Sequence, residues 1–134
     1  MVFIDTSALY AVLDRDDENH EQAAKTWERL LTSTVHLFTH NYVLVETAAL
    51  AQRRLSIPAL RAVHELVMPA LQIHWVQESQ HRIAAEMVIT TGHRKLSLVD
   101  CVSFVVMREN RVSDAFCFDS HFIEQGFRAV SDDF

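Results

Sequence analysis

The sequence predicts an α/β protein in which helices cover both faces of a parallel sheet. Segments typical of strands alternate along the chain with segments of helical periodicity, which favours parallel strands joined by helical crossovers. The first strand segment, residues 2–4, is apolar without polar alternation and therefore suits a strand buried on both faces. The 134 residues, 49% of them hydrophobic, can form one core, so we expect a single domain over residues 1–134.

Five strands are expected. The second alternates poorly and should be interior like the first. The fourth repeats the opening of the chain: an apolar run ends in Asp119, as the first ends in Asp5, and in both cases a hydroxyl residue and then a helix follow. The predicted strands are residues 1–5, 35–39, 71–76, 115–118 and 127–130.

Helices are expected between these strands. Thr6 or Ser7 can cap the first helix, and Thr39 or Asn41 can cap the third. The third helix is apolar almost all round and carries Glu46 in its middle. The predicted helices lie at residues 7–13, around 23–31, 42–55, 56–68, 79–91 and 97–107, with a short one at 122–123.

Proline and glycine mark several of these boundaries. Pro58 stands at an early helical position, where its missing N–H does no harm, and Gly92 closes the fifth helix. Trp27 and Trp75 occupy apolar faces, so we expect both in the core. The inner face of the fourth helix should consist of Leu60, Val63, Leu66 and Val67.

Composition narrows the class of protein. No apolar stretch is long enough to cross a membrane, and the N-terminal residues do not resemble a signal peptide. Cys101 and Cys117 stand in apolar surroundings, which favours buried reduced thiols in a cytoplasmic protein. The formal net charge of −6 argues against coating nucleic acid by bulk electrostatics, but it does not exclude an enzyme that acts on nucleic acid.

Four acidic residues stand in apolar company: Asp5, Glu46, Asp100 and Asp119. Carboxylates are rarely buried unless they are paired or bind a metal ion. Asp5 and Asp119 can each be a helix N-cap, and Asp100 can form a capping box with Ser97. Glu46 has no cap to make in mid-helix, although a salt bridge to a distant arginine would explain it.

Taken together, the four acids indicate a metal centre. Aspartates at the ends of parallel strands meet at one edge of the sheet, where ligands bind in open α/β proteins. Carboxylates crowded at one point repel each other unless divalent cations lie among them, and hard oxygen ligands suit Mg²⁺ or Mn²⁺. Such ions activate water and stabilise displacement at phosphorus.

The chain resembles the PIN-domain ribonucleases, especially the VapC-type toxins of bacterial toxin–antitoxin pairs. The segments that carry the resemblance follow the family's order and are residues 3–9, 41–47, 96–101 and 115–122. The resemblance implies a three-layer α/β/α sandwich around a parallel five-stranded sheet of order 3-2-1-4-5. It also implies a cytoplasmic, Mg²⁺- or Mn²⁺-dependent endoribonuclease with a cognate antitoxin protein.

By the same resemblance, Asp5, Glu46, Asp100 and Asp119 form the acidic cluster that binds the metal and acts in cleavage of single-stranded or loop RNA. Thr6 or Ser7 supports the cluster with a hydroxyl group. The fourth acidic position varies most in the family, so Asp119 is the least secure ligand.

Other polar residues carry weaker signals. The eight histidines lack zinc-ligand spacing, and His121 is at most a supporting or RNA-contacting residue, more simply an exposed histidine of a capping turn. The basic pairs Arg53-Arg54 and Arg94-Lys95 can contact phosphates or simply complement helix dipoles. The apolar surface of the third and fourth helices exceeds what one small domain can bury, which suggests a homodimer.

Two other functions remain to be weighed against a ribonuclease. The acids can be structural caps in a non-catalytic module that binds proteins. A phosphotransfer domain is the third option, but it needs a second acid two residues after the first or a lysine at a late strand end, and neither is present.

Overall fold

Five parallel strands form one sheet. The structure is a computed structural model that describes residues 1–130, so the end of the predicted domain at Phe134 lies outside the described residues. The strands are β1 (Val2–Ile4), β2 (Leu37–His40), β3 (Gln72–His74), β4 (Asp114–Phe116) and β5 (Arg128–Ala129). Their order is β3-β2-β1-β4-β5, which confirms the predicted sheet.

The central position of β1 explains its composition. Phe3 pairs with Phe38 of β2 on one side and with Ala115 of β4 on the other, and every residue of β1 is buried. An apolar run without alternation is what a strand with neighbours on both sides and helices on both faces requires. The carboxyl ends of β1, β2 and β4 therefore meet at one edge of the sheet.

Helices connect the strands at nearly all predicted places. They are α1 (Thr6–Leu13), α2 (His20–Thr32), α3 (Asn41–Leu50), α4 (Ile57–Ala62), α5 (Glu78–Thr91), α6 (Leu98–Glu109) and α7 (His121–Glu124). The third continues through a π-helical turn, Ala51–Leu55, and the fourth through Val63–Val67 and a 3₁₀ turn, Met68–Ala70. These continuations account for the longer helices expected from the sequence.

For α1 the candidate cap Asp5 is confirmed over Thr6 and Ser7, and for α3 both candidates are wrong, because in each case the last residue leaving the strand is the cap. Asp5, not Thr6 or Ser7, caps α1 and accepts the backbone N–H of Ser7 at 3.1 Å. His40, not Thr39 or Asn41, caps α3 through Nδ1, 3.3 Å from the N–H of Val43. Both caps have extended backbone angles, which suit a residue that still belongs to the end of a strand.

The side chains first expected to cap α3 have other long-range partners. Asn41 accepts the backbone N–H of Val76 at 2.6 Å, next to β3. The Thr39 hydroxyl donates to the carbonyl oxygen of Ile4 at 2.7 Å, and so joins β2 to β1. Both groups therefore hold neighbouring strands together at the carboxyl edge.

Local boundary signals are confirmed. Ser56 caps α4 with Pro58 in the first turn, and Gly92 ends α5 at φ +64°, a left-handed conformation that glycine adopts without steric cost. Ser97 and Asp100 form the predicted capping box of α6. Each of these signals depends only on residues within one helical turn.

Two predictions about burial are wrong. Leu66 is 73% exposed instead of lying on the inner face of the fourth helix, because the π-helical turn there changes which residues face the core. Trp75 is 65% exposed at the end of β3, an edge strand whose outer side has no neighbour. Trp27 packs against the core as expected.

The core is densest around α6. Every residue from Asp100 to Met107 is buried, and the Phe104 ring meets the Phe122 ring edge-on at 5.1 Å between centroids. Cys101 and Cys117 are buried and free, as predicted. Since α6 is held on all sides, its first turn, which carries Asp100, has a defined place at the carboxyl edge. In the described part of the chain, none of the helices combines the length and the apolar character needed to span a membrane.

Candidate metal centre

Asp5 stands where β1 passes into α1. Its backbone N–H donates to the carbonyl oxygen of Phe116 in β4 at 3.0 Å, so the residue is tied to two adjacent strands. The side chain is buried, and its Oδ2 accepts the Ser7 hydroxyl at 2.6 Å as well as the Ser7 backbone N–H. The carboxylate is therefore held in one orientation at the carboxyl edge.

Ser7 connects the ends of β1 and β4. Its hydroxyl donates to Asp5 and accepts the backbone N–H of Phe118 at 2.9 Å. Of the two hydroxyl residues that the sequence offered as supports, Ser7 is the one in contact with Asp5. The Thr6 hydroxyl is buried and has no hydrogen-bond partner among the described residues.

Asp100 lies in the first turn of α6 and is also buried. Its N–H donates to the Ser97 hydroxyl at 3.0 Å, and its Oδ2 accepts the Ser97 N–H at 3.3 Å. The capping box predicted from the sequence is present, and it leaves the remaining acceptor capacity of the carboxylate free for another partner.

Asp119 and His121 complete a group around Asp100. Asp119 follows β4, and its Oδ1 accepts the backbone N–H of His121 at 2.9 Å and lies 3.8 Å from His121 Nε2. One potential ligand atom from each of Asp100, Asp119 and His121 lies within 4.8 Å of the others. The short turn from β4 into α7 thus brings a carboxylate and an imidazole to the first turn of α6.

The charges in this region oppose ionisation of the buried acids. Burial, with smaller contributions from the Asp100 and Asp119 charges, raises the pKa of Asp5 to about 7 in spite of the hydrogen bonds from Ser7. Burial, followed by the Asp119 charge, also raises the pKa of Asp100. Burial lowers the pKa of His121, but Asp119, Glu124 and Asp100 together raise it above its usual value.

Two predicted ligands lie outside the group of Asp100, Asp119 and His121. One is Asp5, whose pKa the Asp100 and Asp119 charges nevertheless raise, and the other is Glu46. It is half-buried on α3, and it makes no hydrogen bond or ion pair with any residue in the described range 1–130. The helix that carries it starts at the same sheet edge, directly after β2. Its assignment as a ligand stays a prediction.

The side chains fit a divalent cation. Asp5 and Asp100 are buried carboxylates, and within residues 1–130 neither forms an ion pair with a lysine or arginine. The carboxylates of Asp5, Asp100 and Asp119 are oxygen donors of the kind that suits a hard ion such as Mg²⁺ or Mn²⁺, and the His121 imidazole lies beside them. A cation among them would offset the repulsion that raises the pKa values of Asp5 and Asp100.

His121 is less exposed than the sequence suggested and lies beside Asp100 and Asp119. The available signal was its position two residues after Asp119, at the start of a helix on the carboxyl edge. That signal is weak, because the same spacing suits an exposed residue of a capping turn. Its approach to Asp100 depends on the packing of α7 against α6, which the sequence does not reveal.

The chain matches known proteins over nearly its whole length. Residues 2–128 match the family model described as PIN domain. The chain is similar to the 23S rRNA-specific endonuclease VapC20 of Mycobacterium tuberculosis, with 30% identity over 131 residues that cover 97% of this chain and 98% of the relative.

Solved structures show the same similarity. The crystal structure of M. tuberculosis VapC20, described as a sarcin–ricin loop cleaving toxin, has a TM-score of 0.87 at 30% identity, covering 98% of this chain and 99% of that one. FitAcB from Neisseria gonorrhoeae has a TM-score of 0.69 at 14% identity, with 98% and 97% coverage. FitAB bound to a DNA fragment has a TM-score of 0.71 at 13% identity, with 97% and 94% coverage, and these last two similarities concern the fold alone.

Proposed function

This chain belongs to the PIN-domain family, and from that premise we propose that it is a metal-dependent endoribonuclease, the toxin of a toxin–antitoxin pair. The observation that carries the proposal is geometric: ligand atoms of Asp100, Asp119 and His121 lie within 4.8 Å of one another at the sheet edge where the buried Asp5 ends β1. Similarity to VapC20 over nearly the whole chain supports RNA as the substrate. The whole chain, residues 1–134, is proposed to form one PIN domain.

Asp5, Asp100 and Asp119 would hold the Mg²⁺ or Mn²⁺ ion, with His121 beside them. We include Glu46 as a further ligand, because its helix leaves the same edge of the sheet. When bound, the ion lowers the pKa of a water molecule and offsets negative charge on the phosphate. A site of this kind hydrolyses phosphodiester bonds.

Neighbouring residues hold the acidic side chains in place for this reaction. Ser7 orients the Asp5 carboxylate through two hydrogen bonds, and Ser97 orients that of Asp100. His121 has a raised pKa and can carry a proton at Nε2, 3.8 Å from Asp119, close enough to the cluster to supply a proton to a leaving oxygen. Buried surroundings limit competition from bulk water around Asp5.

The test is cleavage of an RNA stem-loop that carries the sarcin–ricin sequence. We expect cleavage by the purified protein with Mg²⁺ or Mn²⁺, and none with EDTA. Loss of a residue that merely supports a metal ligand costs about 10–100-fold, so replacing the ligand itself, Asp5→Asn, should reduce the rate about 100-fold or more. Gel analysis of end-labelled RNA measures both rates.

Asp16→Asn is the matched control, because it removes the same charge from an exposed residue in the loop after α1, beyond the end of that helix opposite to Asp5. It should cleave like the wild type. Cleavage of RNA by Asp5→Asn at the wild-type rate, or equal cleavage in EDTA, would refute the proposal.

The competing idea of a non-catalytic module has one observation in its favour, since Asp5 and Asp100 do act as caps. Capping requires an acceptor near a helix end but does not require a buried carboxylate whose pKa two other carboxylates, Asp100 and Asp119, raise. The cap function therefore accounts for the hydrogen bonds and leaves the charge coupling unexplained.

The proposed partners are an antitoxin protein and a second copy of this chain, in the cytoplasm. Support for a homodimer comes from exposed apolar side chains on and beside the third and fourth helices, at Val45, Ile57 and Leu66. Light scattering after size exclusion should give twice the monomer mass, and a Leu66→Glu protein should give the monomer mass. A monomeric wild type would contradict the dimer.

A further inference from the structure

A basic turn lies beside the acidic cluster. The N–H of Leu96 donates to the carbonyl oxygen of His93 at 3.1 Å, which closes a four-residue turn with Arg94 and Lys95 at its two central positions. Both cations are exposed. The turn therefore presents two adjacent positive charges to solvent at its tip.

Both ends of this turn are attached to elements of the metal centre. The His93 ring meets the His121 ring edge-on, with 5.6 Å between centroids. At the other end Leu96 is buried in the core, and the next residue, Ser97, is the cap that orients Asp100. The position of the turn is thus defined relative to the Asp100, Asp119 and His121 group.

The two cations have no partner among residues 1–130. Arg94 and Lys95 make no hydrogen bond or ion pair with a described residue, and the exposed Arg29 and Arg111 are likewise unpaired. What distinguishes Arg94 and Lys95 is their position, because their turn contacts His121 of the acidic group through His93. In a chain of net charge −6, two adjacent free cations beside an acidic centre point to an anionic ligand.

The negatively charged backbone of a nucleic acid would be a suitable ligand for Arg94 and Lys95. A polyanion that enters the acidic cluster meets carboxylates that repel its phosphates, and cations at the rim offset that repulsion. Arginine offers a planar fork and lysine a flexible point charge, and both are suited to phosphate oxygens. Two cations at the tip of one turn can contact neighbouring phosphates of one strand.

We propose that Arg94 and Lys95 bind backbone phosphates of the RNA next to the bond that is cleaved. The assignment rests on the proposed ribonuclease function and names the part of the surface that holds the substrate. Binding of this kind does not depend on base identity, and it weakens as salt rises.

The test compares Arg94→Gln/Lys95→Gln with Arg29→Gln/Arg111→Gln. The control pair removes the same charge from exposed positions in the last turn of α2 and just beyond the end of α6, both near the amino ends of the strands. Binding of a fluorescein-labelled sarcin–ricin stem-loop is measured by anisotropy in EDTA over a range of salt, and cleavage kinetics are measured with Mg²⁺.

For Arg94→Gln/Lys95→Gln we expect weaker RNA binding and a salt-dependence slope smaller by about 1 for each lost phosphate contact. In cleavage, KM should rise several-fold with kcat close to wild type. Arg29→Gln/Arg111→Gln should match the wild type in slope and KM, and Arg94→Lys/Lys95→Arg should retain most of the wild-type slope.

Two outcomes would overturn the proposal. One is a binding slope and KM equal to those of the control pair, which would leave the turn to another partner, such as an acidic protein segment. The other is a fall in kcat with unchanged KM, which would mean that the turn acts by positioning Asp100. Failure of the ribonuclease function is distinguishable, because the wild type would then bind RNA in EDTA without cleaving it in Mg²⁺.

Discussion

Asp5 and His40 occupy equivalent places in the fold. Each follows the apolar part of a central strand at the carboxyl edge, β1 and β2 respectively, and each caps the helix that comes next with its side chain. Both are buried. They differ in what surrounds the side chain beyond the cap.

His40 is a polar group whose hydrogen bonds are complete. Nδ1 accepts the N–H of Val43, so Nε2 carries the proton and donates to the Ser103 hydroxyl at 2.8 Å, which in turn donates to the carbonyl oxygen of Val99. Burial, followed by the nearby His74, lowers the pKa of His40 to about 3. The ring is therefore neutral and serves the structure.

Asp5 makes the same kind of cap, but its surroundings oppose ionisation of its carboxyl group. A neutral acceptor would cap α1 equally well, yet Asp5 adds a charge beside Asp100 and Asp119, and its pKa rises to about 7. Capping therefore explains the positions of both side chains, whereas only the extra charge at Asp5 points to a function.

The largest expected effect is that of Asp5→Asn on the protein in EDTA. Asparagine keeps the cap, and it removes a charge whose pKa is raised from 3.8 to about 7, a difference that corresponds to roughly 4 kcal/mol. Above pH 7 the free energy of unfolding should rise by up to that amount. Urea unfolding of wild type and variant measures it.

Two further measurements check this prediction: the pH dependence of stability and the effect of Mg²⁺ on stability. The folded wild type binds a proton at Asp5 that the unfolded chain has released, so its stability relative to Asp5→Asn should fall as pH rises from about 4 to about 7. Saturating Mg²⁺ should stabilise the wild type and not the variant. If Asp5→Asn were less stable than the wild type in EDTA at pH 8, the claim that the Asp5 charge destabilises the metal-free protein would be refuted.

His40→Leu should have the opposite sign. It leaves the N–H of Val43 without a cap and the Ser103 hydroxyl without its donor, which together should lower the free energy of unfolding by about 2–4 kcal/mol near neutral pH. The loss should shrink in acid, because the stability that neutral His40 contributes is present above pH 6.5 and declines towards pH 3.

His36→Leu is the control for this variant, since His36 is exposed and the same substitution there should change stability by less than about 0.5 kcal/mol. Denaturant unfolding across pH measures both proteins. Equal destabilisation at the two positions would show that the His40 network does not stabilise the fold as argued.

The smallest expected effect distinguishes the serine cap of α6, next to the acidic cluster, from the serine cap of α4. Ser97→Ala and Ser56→Ala each remove a serine N-cap, of α6 and α4, and each should cost about 1 kcal/mol. Only Ser97→Ala should also weaken Mg²⁺ binding in calorimetry, because it removes the hydroxyl that accepts the Asp100 N–H and so loosens the turn that carries the Asp100 carboxylate. The same Mg²⁺ affinity in both variants would argue against Asp100 as a ligand.

Much of the site could be anticipated from local pattern. Asp5 and Asp119 follow strands that the apolar runs predict, and the Ser97 and Asp100 capping box needs only the spacing of two residues. The role of His121 and the separation of Glu46 from the group could not be anticipated, because both depend on how helices pack across the sheet edge.

By itself the sequence determined the alternation of strands and helices, the boundaries at Gly92 and Ser97, and the acids at the strand ends, because these features depend on neighbours within a turn or two of the chain. Only the tertiary structure decided that His40 caps α3 and which acidic side chains lie close together. It also decided that Trp75 is exposed and that Arg94 and Lys95 lie beside the cluster. Those properties arise from residues far apart in sequence, whose distances and burial exist only once the sheet and its helices have packed.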